Sequence, residues 1–428
     1  MKSATCRGLR VRVGGTVASV MVAVGVGFAP GAVAADARSE QWYLEPMQAE
    51  KMWDVSTGEG IKVGVIDSGV NPDTPSLEGQ VLIDEVPKKV AYGATDDYTG
   101  HGTSMAELIS GTGAGGGIRG LAPDAKIVPY RIALEGLNDA KDKERAPTPA
   151  EAVRAAADSD VRIINMSFDT HALESDLEAA LKYAASKGKL LIAGAGNEGL
   201  DDGSIALPAG YPYVVGVSSI DENSHISEFA SYGQFVDLVA PGEGIPGYCK
   251  PDFDAYCHDL AGTSQATAIT SAAAALIWSA HPDWTANQVT RSLIDTASRK
   301  WPKDDPTKNA GYGTIRPRSV LANPDYDPGD PYSDPLGKWN KRKGEKLVTE
   351  ISPASSSPNS AGATAASQGA EGSSADKQAA AGSADAKAVS ADASNDSSST
   401  LWITLGAAGA VVVIGGGAFA VLRVRRAN

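Results

Sequence analysis

Short apolar runs alternate with helical patterns between residues 61 and 297, and this alternation constrains the fold more than any other feature of the chain. The runs predicted as strands are Lys62 to Ile66, Lys126 to Arg131, Arg162 to Met166, Leu190 to Ala193 and Tyr213 to Val217. Helical patterns lie near 102–111, 149–158, 174–187 and 263–280, and Thr285 to Gln288 has the spacing of a capping box. Strands that alternate with helices predict an α/β domain with a mostly parallel central sheet and helices on both faces.

Three polar side chains occur at positions where such a domain forms its sites. Asp67 follows the first apolar run, so its carboxylate is predicted at the carboxyl end of a strand. His101 stands between two glycines that allow close backbone approach at the start of a helix. Ser264 lies in the first turn of the last long helix, where free N–H groups and the positive end of the helix dipole favour an anion.

An aspartate, a histidine and a serine together allow nucleophilic catalysis, which none of them indicates alone. A serine hydroxyl becomes a good nucleophile when a neutral imidazole accepts its proton, and a buried carboxylate fixes the tautomer of that imidazole. Asn197, on a glycine-rich turn after the fourth apolar run, can donate its amide to a tetrahedral intermediate. Each motif taken singly is more typical of a turn, a loop or a helix cap. Their combination predicts a serine peptidase that needs no cofactor and no metal ion.

The remaining histidines and one acidic turn have spacings that do not suggest a metal site. The histidines His171, His225, His258 and His281 lie in polar or turn-like surroundings and are predicted to have surface or capping roles. Asp201 and Asp202 are predicted to form a solvated loop rather than a calcium site.

Residues 40 to 320 resemble the subtilisin-like serine peptidases. The matching motifs are Asp67-Ser68-Gly69, His101-Gly102-Thr103, Gly120-Leu121-Ala122-Pro123, Asn165-Met166-Ser167, Gly196-Asn197, Phe229-Ala230-Ser231-Tyr232-Gly233, Ala240-Pro241-Gly242 and Gly262-Thr263-Ser264. The resemblance implies a subtilisin-like fold, a catalytic triad of Asp67, His101 and Ser264, and Asn197 as the oxyanion donor. It also implies that extended substrate pairs with the strand containing Ser167 and with Gly194, Ala195 and Gly196.

Two positions depart from the family pattern. Gln265 follows the nucleophile where the family usually has Met, and Asp169 stands after the Ser167 strand where the family usually has Gly. Both substitutions are expected to reshape the substrate pocket. A carboxylate at Asp169 either favours a basic or polar residue at the cleavage site or points into solvent.

The two ends of the chain predict export and membrane anchoring. Residues 1–35 are predicted to be a signal peptide. Residues 36–60 are too short for a folded pro-domain, but their aromatic side chains predict that they pack on the catalytic domain, which is predicted at 61–322. Residues 323–400 are predicted to be a low-complexity linker. Residues 401–422 carry no charge and are predicted to cross the membrane, with the basic tail 423–428 in the cytoplasm and the catalytic domain outside.

Charge and cysteine usage agree with an exported protein. Removal of the signal peptide takes away four positive charges and changes the formal net charge from −14 to −18, which gives no affinity for nucleic acid. Cys249 and Cys257 then remain as an even pair, eight residues apart, so a disulfide is expected.

These features together predict a membrane-anchored extracellular serine endopeptidase that acts on protein or peptide substrates. The signal peptide, linker, single C-terminal helix and the segment Gln41 to Leu44 resemble the mycosins of type VII secretion systems, which implies a secretion complex as a partner. Two alternatives remain open. One is a subtilase that sheds or degrades surface proteins in general, and the other is a subtilase-fold scaffold that stabilises a membrane complex.

Overall fold

The structure is a computed structural model that describes residues 37–199, 206–338, 340–341 and 343–344. All of these residues belong to the first of two units, Met1–Ser357. The predicted signal peptide, the Asp201–Asp202 turn, most of the predicted linker, the predicted membrane helix and the basic tail lie outside the described residues. Within the described residues, no helix has the length and apolar character needed to cross a membrane.

A parallel sheet of six strands forms the centre of the domain. The strands are β1 (Lys62–Asp67), β2 (Lys126–Arg131), β3 (Ile163–Met166), β4 (Leu190–Gly194), β5 (Val214–Ile220) and β6 (Leu238–Pro241). Their spatial order is β2-β1-β3-β4-β5-β6, and every pair is parallel. A separate antiparallel hairpin joins β7 (Ile245–Tyr248) to β8 (Tyr256–Leu260). The five predicted strands are therefore present, whereas β6 and the hairpin were not predicted.

Helices cover both faces of the sheet, as the alternating pattern predicted. They are α1 (Leu44–Met47), α2 (Ala49–Trp53), α3 (His101–Ser110), α4 (Ala140–Arg145), α5 (Pro149–Ala157), α6 (Ser175–Ser186), α7 (Thr263–Ala280), α8 (Ala286–Thr296) and α9 (Pro317–Leu321). One buried apolar cluster includes residues of α3 and α7, and a second includes residues of α5 and α6. Helix α8 begins with the predicted capping box at Thr285 and Gln288. The α/β fold with helices on both faces is confirmed.

The N-terminal extension packs on the catalytic domain through aromatic and amide groups. Tyr43 is fully buried. The indole N–H of Trp42 donates to the carbonyl of Glu243 at 3.0 Å, and that of Trp53 donates to the carbonyl of Leu121 at 2.8 Å. The Gln41 side chain bonds both backbone groups of Arg119, each at 2.8 Å. These contacts make the extension part of the folded domain.

The described residues beyond 322 also pack on the domain, which differs from the expected linker. The Arg291 guanidinium donates to the carbonyls of Pro328, Asp330 and Ser333. The Lys343 ammonium is buried and pairs with the buried Asp237 carboxylate at 2.8 Å. Proline and aspartate made this segment look unstructured, because the partners that hold it come from distant parts of the chain. The folded domain therefore includes described residues as far as 344.

Candidate active site

Asp67 and His101 form a hydrogen-bonded pair at the carboxyl edge of the sheet. Asp67 is the last residue of β1 and is fully buried, and His101 is the first residue of α3. The Nδ1 atom of His101 lies 2.8 Å from Asp67 Oδ1. Burial alone lowers the pKa of His101, but the charge and hydrogen bond of Asp67 outweigh that effect, so its pKa is raised above that of a free histidine. The arrangement therefore stabilises a protonated imidazole.

A second buried carboxylate, Asp97, holds the loop that presents His101. Its Oδ1 accepts from the Gly100 N–H at 2.9 Å, and its Oδ2 accepts from the Thr103 N–H at 2.8 Å and the Thr103 hydroxyl at 2.6 Å. Gly102 has no room for a side chain, because a Cβ would lie 2.1 Å from the Gly69 carbonyl oxygen. The sequence reasoning missed Asp97, although an acidic residue just before a helix start is a typical capping signal.

Ser264 lies in the first turn of α7, next to the end of β3. Its hydroxyl donates to the Ser167 carbonyl at 3.2 Å, and the Ser167 hydroxyl donates to the Ser264 carbonyl at 3.1 Å. Because β3 is the neighbour of β1 in the sheet, these contacts bring Ser264 to the same edge as Asp67. The Ser264 hydroxyl is bonded to the Ser167 carbonyl in this structure, and among the described residues no hydrogen bond joins it to His101.

Asn197 follows β4 and is fixed by the residue before Ser264. Its Oδ1 accepts from the Thr263 N–H at 2.8 Å and from the Thr263 hydroxyl at 3.1 Å. With its oxygen held in this way, the exposed side chain turns its Nδ2 away from Thr263. Gly194 has to be a glycine here, because a Cβ would lie 2.8 Å from the Thr263 hydroxyl. The predicted oxyanion donor is thereby brought beside the predicted nucleophile.

The segments predicted to bind substrate flank Ser264 on two sides. Ser167 lies beyond the end of β3, and the residues Gly194, Ala195 and Gly196 lie at the end of β4. The Ala195 N–H donates to the Val217 carbonyl at 2.9 Å, and the Gly196 N–H donates to the Thr263 hydroxyl at 3.1 Å. The backbone of Ala195 and Gly196 is therefore held by the sheet and by α7.

Asp169 is exposed and lies close to His171 and Glu198, with one ligand atom from each residue within 4.8 Å of the others. His171 Nε2 and Glu198 Oε2 are 2.8 Å apart. Although the residue as a whole is exposed, partial desolvation of its carboxyl, together with the charge of Glu198, raises the pKa of Asp169. The sequence surroundings of His171 did not suggest these neighbours, because Glu198 lies far along the chain; exposed acidic groups of this kind also commonly occur without an ion.

The hairpin that precedes Ser264 rests on the helix that carries His101. Cys249 and Cys257 form a disulfide with Cα atoms 6.0 Å apart. At the same end of the hairpin, the Tyr248 N–H donates to the Ser104 hydroxyl at 2.7 Å. A Cβ on Gly100 would lie 3.0 Å from the Lys250 carbonyl oxygen, so the hairpin also closes tightly over the residue before His101.

Glu107 is a fully buried carboxyl beneath this contact, and the sequence reasoning did not identify it. It accepts hydrogen bonds from the Thr74 hydroxyl at 2.8 Å and from the Tyr256 hydroxyl at 2.7 Å. Burial raises the pKa of Glu107 to about 7, although these hydrogen bonds lower it. A glutamate within a helix gives no sequence signal of burial. Its burial becomes apparent only in the folded structure, where the hairpin covers it.

The other histidines have the polar surface contacts that were expected. His225 pairs with Asp221 at 3.3 Å, His258 hydrogen-bonds Glu40, and His281 stacks on Trp284 with ring centroids 3.9 Å apart. None of these three belongs to a cluster with metal-ligand geometry in the described part of the chain.

The chain is similar in sequence to known proteases. Subtilisin Savinase from Lederbergia lenta is 31% identical over 265 residues, which cover 61% of this chain and 93% of that protein. An alkaline protease from Alkalihalobacillus alcalophilus is 31% identical over the same length, but the match covers only 66% of that protein.

Solved structures of mycosins are similar as well. MycP1 from Mycobacterium smegmatis has a TM-score of 0.54 and 26% identity, with 68% of this chain and 86% of that chain covered. MycP3 protease from the type VII (ESX-3) secretion system has a TM-score of 0.54 and 31% identity, with 69% of this chain and 90% of that chain covered. The sequence model of the subtilase family matches residues 58–314. The chain therefore belongs to the subtilase family, and it is a subtilisin-like serine endopeptidase.

Proposed function

We propose that this protein cleaves peptide bonds with a triad of Asp67, His101 and Ser264 through an acyl-enzyme. The observation that carries the proposal is the 2.8 Å contact between His101 Nδ1 and the buried Asp67 carboxylate, at the same sheet edge as Ser264. A histidine held by a buried carboxylate presents its other nitrogen as the base. A serine in the first turn of a long helix, at the same sheet edge as that base, is suited to act as the nucleophile.

In the first half of the reaction, the Ser264 hydroxyl attacks the scissile carbonyl carbon and His101 Nε2 accepts its proton. The raised pKa of His101 favours the imidazolium that results, and the charge and hydrogen bond of Asp67 are its cause. The negative charge on the carbonyl oxygen is stabilised by the Ser264 backbone N–H and by Asn197 Nδ2.

The intermediate then collapses as His101 gives its proton to the leaving amine. The bond between carbonyl carbon and nitrogen breaks, and the acyl group remains on Ser264. A water molecule attacks this ester, again with His101 as the base, and the acid is released.

The extended substrate is proposed to pair with the backbone on both sides of Ser264, at Ser167 and at Gly194, Ala195 and Gly196. Supporting this, both segments are held rigidly at the end of neighbouring strands. Asp169 lies two residues beyond Ser167 and has a like charge, Glu198, close by. A basic side chain in the substrate would relieve that repulsion, so we propose a preference for a basic or polar residue at the cleavage site.

We further propose that the enzyme is exported, anchored by a single membrane helix at 401–422, and associated with type VII secretion as a mycosin-like peptidase. This proposal is supported by the apolar segment at 401–422 with the arginines that follow it, and by the similarity to MycP1 and MycP3. Of these two, MycP3 is a protease of the type VII (ESX-3) secretion system. A general surface sheddase and a scaffold of a secretion complex are the competing functions.

Two measurements with Ser264→Ala test these functions. Peptide hydrolysis by the full-length chain should disappear, while Ser279→Ala, in the last turn of the same helix, should retain it. Retained turnover in purified Ser264→Ala protein would exclude the triad.

In the producing cells, the proteins secreted by the wild type, by Ser264→Ala and by a deletion of the gene are then compared. Loss of secretion only in the deletion would favour the scaffold, whereas uncut surface proteins with normal secretion would favour the sheddase.

A further inference from the structure

Gln265, the residue after the nucleophile, contains a polar atom that the fold leaves without a partner. Its side chain is 5% exposed, and its Oε1 is buried with no hydrogen bond to any described residue. Nearly all buried polar side-chain atoms in proteins have a partner, so an exception beside a catalytic serine calls for an explanation. The family resemblance adds no role for it, because methionine is the usual residue at this position.

The unpartnered oxygen borders the oxyanion donor. A Cβ on Gly262 would lie 2.6 Å from Gln265 Oε1 and 3.6 Å from Asn197 Nδ2. The two amide groups therefore approach the same glycine from the two sides of its missing side chain. The missing side chain of Gly262 leaves the space between them open.

Asn197 has a hydrogen available for this contact. Its Oδ1 is occupied by Thr263, and its Nδ2 carries two N–H groups. One N–H is needed for the oxyanion. The second has no acceptor among the described residues, and Gln265 Oε1 is an acceptor without a donor.

We propose that Gln265 is a positioning residue: when the tetrahedral intermediate forms, its Oε1 accepts the second N–H of Asn197 and holds the first N–H on the oxyanion. The bond also polarises the Asn197 amide, since linked hydrogen bonds strengthen one another in a site that excludes water. A methionine cannot replace this function, because its thioether sulfur is a weak acceptor. The inference rests on the proposed function, in which Asn197 is the oxyanion donor.

The test is a double-mutant cycle on peptide hydrolysis by the full-length chain. Gln265→Met and Gln265→Leu are each made in the wild type and in Asn197→Ala. In the wild type we expect each substitution to lower kcat about tenfold, the effect of losing one ordinary hydrogen bond, with KM nearly unchanged. In the Asn197→Ala background the same substitutions should change kcat less than about twofold, because the group that Gln265 orients is gone.

A peptide aldehyde gives a second measurement, because its adduct with the serine carries the same oxyanion. Substitution of Gln265 should weaken binding of the aldehyde by the same factor by which it lowers kcat, and it should do so only in the wild-type background. An equal loss of kcat in both backgrounds, or no loss in the wild type, would overturn the role of Gln265.

The proposed function is tested separately: the wild type should hydrolyse the peptide and Ser264→Ala should not. Thermal unfolding of each variant separates a folding defect from lost positioning: a variant that unfolds early is set aside, and the other Gln265 variant decides.

Discussion

Glu107 ties the folded stability of this enzyme to pH near neutrality. The carboxyl is fully buried on α3, and its pKa is raised from 4.5 to about 7 by burial. One pKa unit corresponds to about 1.4 kcal/mol, so ionisation of Glu107 in the folded state costs about 3 kcal/mol relative to the unfolded chain. The folded protein binds this proton more tightly than the unfolded chain. Its stabilising effect is therefore complete below pH 4.5 and is lost as the pH rises through about 7.

Glu107→Gln removes this ionisation and keeps the shape of the side chain. The glutamine oxygen can accept from one of the two hydroxyls, Thr74 or Tyr256, and its amide can donate to the oxygen of the other. Between pH 5 and 8 the free energy of unfolding of the parent should fall by about 2.5 kcal/mol more than that of Glu107→Gln. The variant should therefore be the more stable protein at pH 8.

Urea unfolding followed by tryptophan fluorescence measures this difference, with Ser264→Ala present in every protein to prevent self-cleavage. Glu178→Gln, an exposed glutamate on α6, is the control and should keep the pH dependence of the parent. Parallel pH profiles for the parent and Glu107→Gln would refute the reasoning, because they would show that Glu107 does not titrate in this range.

Three further predictions concern the site itself. Asn197→Ala should lower kcat by roughly a hundred- to a thousand-fold with little change in KM, a magnitude known from subtilisin; an unchanged kcat would remove Asn197 from the oxyanion site. Replacing Cys249 and Cys257 together by serine should lower the free energy of unfolding by about 2.5 kcal/mol, measured by denaturant titration, and non-reducing peptide mapping of exported protein should find no free thiol. Asp169→Gly should reduce cleavage after basic residues in a peptide library, and identical preferences in both proteins would mean that the carboxylate does not contact substrate.

The sequence predicted the central strands well because each is a short apolar run bounded by turn residues. Strand β6 was missed because Leu238–Pro241 is four residues long and ends in proline, which normally argues against a strand. Strand β8 was missed because Cys257, His258 and Asp259 give it no apolar alternation. Both elements are defined by pairing partners elsewhere in the chain.

The residues of the site also fall into two groups: those that local motifs predict and those that only tertiary contacts reveal. Asp67, His101, Ser264 and Asn197 stand in local contexts whose motifs alone indicate their roles. Glu107, by contrast, acts through contacts between α3 and distant segments. Its neighbours in the sequence carry no information about those contacts, so only the tertiary structure reveals them. Asp97 binds residues of the same loop and helix start, and its capping signal was overlooked.

The contacts of the N-terminal extension support the prediction that it stays in place as part of the enzyme. The Ser56 hydroxyl donates to the Leu276 carbonyl in α7 at 2.7 Å, and Trp42 bonds Glu243 just before the hairpin. Glu40 hydrogen-bonds His258 on β8. The extension thus joins the far end of the helix that carries Ser264 to the hairpin that rests on the helix of His101. Its removal would take away Tyr43 together with the hydrogen-bond partners of the Arg119 backbone, the Leu276 carbonyl and His258, so we expect the remaining domain to be less stable without this segment.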